Sequence, residues 1–102
     1  MKDEFNTAFS QLSNDGRVTV WHLCVYMAIF FRWRENAYKN PVSVTRREIM
    51  RLAHIGSIAT YHKCIKQLKE FGYLEYLPSY DPSLGSQIYL LEGQKIKKGS
   101  TD

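Results

Sequence analysis

Residues 45–77, TRREIMRLAHIGSIATYHKCIKQLKEFGYLEYL, decide the fold of this chain. The stretch begins with Thr45 and Glu48, which have the T-x-x-E spacing of a capping box. In that motif each of the two side chains bonds a backbone amide that would otherwise be unpaired at the start of a helix. We therefore predict a short helix that begins at about Arg46 and continues through Ala53.

A further helix follows after a break of three residues, His54-Ile55-Gly56. Gly56 can take the left-handed backbone conformation that ends a helix without a steric penalty, and Ser57 can cap the next helix. Within residues 58–71, apolar side chains recur at the spacing of one helical face, and they are Ile58, Tyr61, Ile65 and Leu68. This stripe is predicted to face the core, and Gly72 is predicted to close the helix.

Downstream of Gly72 the side-chain pattern changes to the two-residue period of strands. Residues 73–77 and 87–91 are rich in β-forming side chains, and residues 78–86 between them are rich in turn formers. These segments predict a β-hairpin. Residues 93–102 are polar and basic, and we expect a flexible tail there.

Upstream, residues 20–37 predict a long buried helix that is capped by Thr19. Its apolar run from Val20 to Trp33 has 14 residues, whereas a membrane-spanning helix needs about 20, so no membrane partner is predicted. Asn40-Pro41 is expected to end this helix, and residues 42–44 alternate like a very short strand. Residues 1–17 are an N-terminal extension in which a helix would align three apolar residues, Phe5, Phe9 and Leu12.

The predicted order of helix, short strand, helix, three-residue break, helix and hairpin resembles the winged helix-turn-helix family. The resemblance covers about residues 19–92. Residues 49–68, IMRLAHIGSIATYHKCIKQL, are similar to the family's helix, turn and recognition helix, and residues 68–76, LKEFGYLEY, are similar to its passage into the first wing strand. The resemblance implies an α+β, mainly α fold over residues 18–92, with a three-helix core and a C-terminal β-hairpin wing.

The positive charge of the chain is concentrated in this same region. Six of the 14 Lys and Arg residues, but only two of the 10 Asp and Glu residues, lie between residues 46 and 70. This segment therefore accounts for the whole formal net charge of +4. A localised positive field attracts nucleic acid, and a solvated helix face is the alternative explanation.

The resemblance implies that residues 57–71 include a recognition helix for the major groove of double-stranded DNA. On a helical wheel, the face opposite the apolar stripe carries small or hydrogen-bonding side chains that can approach base edges. Arginines on the preceding helix can fork around phosphate oxygens. The candidate DNA-binding residues are Arg46, Arg47, Arg51, Ser57, Ala59, Thr60, His62, Lys63, Lys66 and Gln67.

The predicted wing departs from the family's stronger DNA-binding pattern. Residues 79–86 contain no Lys or Arg and include Asp81, which opposes insertion into a negatively charged groove. Two routes to DNA stay open at this end of the chain. One is contact through backbone amides, Ser83 or Ser86, and the other is contact through three lysines of the tail, Lys95, Lys97 and Lys98. A solvated tail is the alternative explanation for these lysines.

The helix predicted over residues 20–37 is apolar almost all round, so it must be covered on more than one side. Two explanations are open. A homodimer could cover it through an interface that includes Trp21, Tyr26, Phe30 and Trp33, joined by Phe5, Phe9 and Leu12. A purely intramolecular core is the other explanation.

No cofactor, metal or small-molecule site is indicated. Cys24 and Cys64 lack the paired spacing of zinc ligands, and His62 and Cys64 diverge on a helix. The sequence has no acid pair, Gly-rich phosphate loop or nucleophile elbow, so we predict that the chain is not an enzyme. The first residues lack the pattern of a secretory signal, and a cytoplasmic location is expected.

The expected function is therefore sequence-specific binding of double-stranded DNA by a transcriptional regulator of bacterial type. One alternative is a DNA-binding accessory protein of a plasmid, phage or transposon that acts in replication initiation or excision. Another is a winged helix that mediates protein association through its aromatic helix.

Overall fold

The computed structural model describes residues 4–77 and 85–91. These residues form four helices and a three-stranded antiparallel sheet, which is an α+β arrangement that is mainly helical. In chain order the elements are α1 (Glu4–Ser13), α2 (Val20–Glu35), β1 (Val42–Val44), α3 (Arg46–Ala53), α4 (Ile58–Glu70), β2 (Leu74–Leu77) and β3 (Ser86–Leu90). The predicted tail, residues 93–102, lies outside the described residues.

Hydroxyl side chains start three of the helices. Thr19, Thr45 and Ser57 have extended backbones, and each side chain accepts a hydrogen bond from the backbone N–H three residues later. The predicted starts of α2, α3 and α4 are thus confirmed. The box at Thr45 is only half formed, because Glu48 Oε2 lies 2.9 Å from Arg32 Nε on α2 and forms an ion pair with it.

The break between α3 and α4 is built differently from the prediction. His54, and not Gly56, takes the left-handed conformation, with φ 60° and ψ 43°. The backbone of Gly56 is outside the left-handed region. Ile55 N–H donates to the Met50 carbonyl oxygen at 2.9 Å, and the Ile55 side chain is buried. The conformational role assigned to Gly56 is therefore wrong, and the buried Ile55 fixes the turn.

The helix α2 ends at Glu35, earlier than the Asn40-Pro41 signal predicts. Ala37 and Tyr38 both have left-handed backbones, with φ of 59° and 60°. The Tyr38 ring packs edge-on against Trp33, with 5.0 Å between the ring centroids. This turn leads the chain from α2 into β1.

The sheet has the strand order β1-β3-β2, so β3 is central. Leu74 pairs with Leu90 and Leu77 pairs with Gln87 in the β2–β3 ladder, which confirms a hairpin of these two strands. The very short strand predicted at residues 42–44 is β1, and it pairs on the other side of β3, with Val44 opposite Ser86. The segment that joins β2 to β3, residues 78–84, lies outside the described residues.

The core lies between α2, α3, α4 and the sheet. Each of these elements contributes side chains with essentially no exposed surface, and the set includes Val25, Ile29, Ile49, Leu68, Leu74 and Ile88. The helix α1 joins the core through Leu12, which is also buried. Within residues 4–77 and 85–91, no helix combines the length and the apolar character needed to cross a membrane.

A cluster of polar side chains links the residues that follow α1 to the residue that precedes β2. The Tyr73 hydroxyl donates to Asp15 Oδ2 at 2.8 Å. The Arg17 guanidinium donates to the two carboxylate oxygens of Asp15 at 2.9 and 2.7 Å, and it stacks 4.3 Å from the centre of the Phe71 ring. The hydrogen bonds from Arg17, helped by that from Tyr73, hold the pKa of Asp15 well below its usual range.

Replacing Asp15 with asparagine should lower the free energy of unfolding by about 1–2 kcal/mol at pH 7, because hydrogen bonds to a charged carboxylate are lost. The folded-state pKa of Asp15 is depressed, so its stabilisation is present above the unfolded pKa and disappears as the pH falls through the folded-state pKa. Urea denaturation at a series of pH values measures this. The difference in the free energy of unfolding between the native protein and the variant should become smaller below about pH 4. A difference that stays constant with pH would contradict the depressed pKa of Asp15.

Candidate nucleic-acid interface

The outward face of α4 carries two lysines and several smaller polar side chains. Its exposed residues include Ala59, His62, Lys63 and Lys66, and Thr60 beside them is half-buried. On the opposite face, Tyr61, Ile65 and Leu68 are buried in the core. Burial raises the pKa of Tyr61 to about 12, so this anchoring side chain is neutral at physiological pH. Most of the predicted inward and outward faces of α4 are therefore confirmed.

The first residue of α4 departs from the predicted inward stripe. Ile58 is 49% exposed, whereas Ile55, in the break before the helix, is buried. A helical wheel cannot predict that Ile58 is exposed, because it leaves out residues before the helix, such as Ile55, that can fill the core in place of a residue of the first turn. Ile58 therefore joins Ala59 as an exposed apolar residue at the amino end of α4, and it was missing from the predicted site.

Gln67 is engaged within the protein rather than free on the outward face. Its Oε1 lies 2.7 Å from His22 Nε2 on α2, and His22 is only 4% exposed. The Thr19 backbone N–H donates to His22 Nδ1 at 2.9 Å. Because Nδ1 accepts this bond, we assign the neutral ring proton to Nε2, which donates to Gln67. Gln67 thus links α4 to the capped start of α2, and its predicted contact with DNA stays a prediction.

The three arginines of α3 are exposed on the surface of the protein. Arg46, Arg47 and Arg51 are all exposed, and within the described part of the chain none of them is ion-paired to an acidic residue. The only acidic residue of α3, Glu48, is instead paired with Arg32 of α2. This pairing screens the acidic charge of α3 and leaves its arginine charges available.

The cap of α4 lies in the break between α3 and α4. Ser57 is exposed, and its Oγ accepts from the Thr60 backbone N–H at 3.2 Å. The first amides of α4 add the partial positive charge of a helix start, which favours an anion nearby. A positively polarised helix start therefore follows, along the chain, a helix that carries three exposed arginines.

Most of the predicted wing and tail contacts lie outside the described residues. This applies to Asp81, Ser83, Lys95, Lys97 and Lys98. Ser86 is described, and its hydroxyl donates to the Tyr76 hydroxyl at 3.1 Å. Ser86 therefore contributes to packing between the two strands, and its predicted contact with DNA stays a prediction.

Three of the four residues predicted at a homodimer interface are buried within the chain. Tyr26, Phe30 and Trp33 face the core of the same molecule, where Phe30 and Trp33 pack edge to face with 5.4 Å between ring centroids. Trp21, by contrast, is 50% exposed. The intramolecular explanation therefore holds for these three aromatic residues, and they cannot provide the surface for a partner.

The described residues contain no group of three or more His, Cys, Asp or Glu side chains that could hold a metal ion. Cys24 and Cys64 are free thiols, and burial raises the pKa of the Cys64 thiol. Comparison of the chain with protein-family models, with curated proteins and with solved structures gives no match.

Proposed function

We propose that the protein is a winged helix-turn-helix protein that binds double-stranded DNA in a sequence-specific manner. In this proposal α3 and α4 are the helix pair, α4 enters the major groove, and β2 and β3 belong to the wing. The support is the element order, with two consecutive helices joined by a short break and followed by an antiparallel hairpin.

The observation that carries the proposal is the set of exposed cations on α3 and α4. Arg46, Arg47, Arg51, Lys63 and Lys66 are exposed on consecutive helices, and no ion pair within the described residues engages them. Unpaired surface cations that are gathered on one structural unit attract the phosphates of nucleic acid. Surface lysines that served only solvation would not need to be accompanied by three arginines on the bracing helix.

The two helices would contribute differently to binding. The arginines of α3 would grip phosphate oxygens, which gives affinity and register but little choice of sequence. Lys63, His62 and Thr60 would hydrogen-bond to base edges, while the exposed Ile58 and Ala59 would contact a thymine methyl group. The combination of polar and small apolar groups on one face is what reading the major groove requires.

Selection of bound duplexes from random DNA, followed by fluorescence anisotropy at several salt concentrations, tests the proposal. We expect one sequence to be enriched. The logarithm of its association constant should fall with the logarithm of salt concentration at a slope of about −0.9 per phosphate neutralised. A lack of enrichment together with a salt-independent affinity would overturn the proposal.

Replacing Lys63 with alanine should weaken binding to the selected sequence by about 10- to 100-fold, because a base contact contributes about 1–3 kcal/mol of discrimination. Binding to an unrelated duplex should change little. Lys69→Ala is the matched control, since Lys69 lies on the same helix but 3.9 Å from Glu75 of β2. Equal effects of the two substitutions on the selected and unrelated duplexes would contradict the assigned groove face.

The position of the binding site separates the two biological roles that we consider. A site at a promoter favours a transcriptional regulator, and a site at a replication origin or recombination end favours an accessory protein of a plasmid, phage or transposon. If the protein instead associates with another protein through its aromatic helix, the affinity for that partner should depend little on salt concentration. The absence of enzymatic activity and the cytoplasmic location stay predictions.

A further inference from the structure

Arg32 of α2 forms ion pairs with carboxylates on two different helices. Its Nη1 lies 2.9 Å from Glu35 Oε1 on α2, and its Nε lies 2.9 Å from Glu48 Oε2 on α3. The side chains of Arg32 and Glu48 are only 30% and 28% exposed, and Arg32 Nε itself is buried. The pair that joins α2 to α3 is therefore screened only in part by water.

Glu48 bonds Arg32 in place of two partners that are close to it on its own helix. The first is the Thr45 backbone N–H, which a capping box would pair with a glutamate at this position. The second is Arg51, three positions further along α3, a spacing at which opposite charges on a helix attract each other. Arg51 has no acidic partner within the described residues. The glutamate is therefore held by the neighbouring helix α2.

The position of this carboxylate determines how much positive charge α3 presents to a polyanion. The helix carries three arginines and a single acidic residue, Glu48. If Glu48 turned to Arg51, it would neutralise one of the three guanidinium charges, and its own charge would repel phosphates. With Glu48 bonded to Arg32, the full charge of the three arginines remains available for phosphate oxygens.

We infer that Arg32 is a positioning residue for phosphate binding, and that it acts by holding the Glu48 carboxylate away from the arginines of α3. This inference rests on the proposed function, because it concerns the same phosphate contacts. Arg32 acts through Glu48 and is assigned no DNA contact of its own. The helix α2, which does not enter the groove in the proposal, thereby sets the affinity of α3.

Fluorescence anisotropy with the selected duplex and with an unrelated duplex tests the inference. Arg32→Met removes the guanidinium charge but keeps an unbranched side chain between α2 and α3. Binding to both duplexes should weaken by about tenfold, the lower end of what one charge-assisted hydrogen bond contributes. The salt slope should become shallower by about 0.9, the value for one phosphate contact. A purely structural role of Arg32 would lower the urea midpoint without changing this slope.

Removing the Glu48 charge should have opposite consequences in the two backgrounds. Glu48→Gln in the native chain should change affinity by less than about threefold, because Arg32 already neutralises this carboxylate. The same substitution in the Arg32→Met chain should recover the whole tenfold loss and the native salt slope. A gain of tenfold or more from Glu48→Gln in the native chain would contradict the role of Arg32, and this variant tests the inference even if Arg32→Met folds poorly.

Glu35→Gln in the Arg32→Met chain is the matched control. It restores the same net charge, and Glu35 is the other carboxylate on Arg32, but it lies on α2 and is 47% exposed. This double variant should keep the tenfold loss. Recovery as complete as that given by Glu48→Gln would show that only net charge matters and would overturn the inference, as would an Arg32→Met chain with native affinity and slope.

Heparin, a polyanion without bases, separates this inference from the proposed function. The order of the variants in affinity for heparin should match their order for DNA, because both polyanions bind the α3 arginines through charge. A native chain that binds heparin but no duplex would overturn DNA binding, while the order of the variants on heparin would still decide the role of Arg32. A native chain that binds neither polyanion would overturn both.

Discussion

Simultaneous replacement of Arg46, Arg47 and Arg51 with glutamine is expected to weaken binding to every DNA duplex by at least about 100-fold. The proposal assigns these side chains to the phosphate backbone, and each charge-assisted hydrogen bond that is lost contributes about 1.5–3 kcal/mol. If two of the three arginines touch phosphates, the salt slope should become shallower by about 2. The order of preference among sequences should be retained, because base contacts come from α4.

Charge-matched substitutions separate this site-specific effect from a general loss of positive charge. Arg34, Lys39 and Lys69 are also exposed. Their joint replacement with glutamine removes an equal number of positive charges, three, from other parts of the surface. This control should change affinity by less than about threefold at physiological salt, where charges beyond about 8 Å are screened. Equal losses in the two triple variants would show that the α3 arginines are not phosphate contacts.

The local structure of this chain could be predicted from its sequence because its signals lie close together. Thr19, Thr45 and Ser57 each bond an amide three residues away, and such caps depend on few other residues. The change from helical to two-residue periodicity after Gly72 likewise located the hairpin of β2 and β3. These features fixed the elements that carry the candidate site.

The parts that could not be predicted depend on residues far apart in the sequence. Gln67 turns to His22, which lies 45 positions away, and Glu48 turns to Arg32 on α2. Each of these side chains had an adequate local role, on the outward face of α4 or in a capping box. In both cases the side chain bonds a partner on another helix, and no periodicity or motif identifies such a partner.

The aromatic residues of α2 show the same limit at the level of packing. The sequence of an apolar helix indicates that its side chains must be buried, but it does not indicate which face is buried within the same chain. The structure buries Tyr26, Phe30 and Trp33 and leaves Val20 and Phe31 exposed. Only the positions of α3, α4 and β1 around α2 could distinguish these two sets of residues.

At the break between α3 and α4 the residue with a left-handed backbone is His54, and not Gly56 as the sequence predicts. Gly85, which precedes β3, is a glycine that the fold does require. Its φ is +73°, and a Cβ atom at this position would press on the Val44 carbonyl oxygen of β1. That carbonyl belongs to the backbone at the point where Val44 pairs with Ser86, so it cannot move aside without disturbing the ladder.

Replacing Gly85 with alanine should therefore lower the free energy of unfolding by about 2–4 kcal/mol, which combines a left-handed conformation and an overpacked contact. Gly56→Ala is the matched control, because no heavy atom lies within 4 Å of the added methyl group and φ is not positive. That variant should be neutral or more stable by about 0.4–1 kcal/mol, since alanine restricts the unfolded chain. Urea denaturation of the two variants measures both effects. Stability within about 0.5 kcal/mol of the native protein for Gly85→Ala, or a large loss for Gly56→Ala, would contradict this account of how β1 and β3 meet.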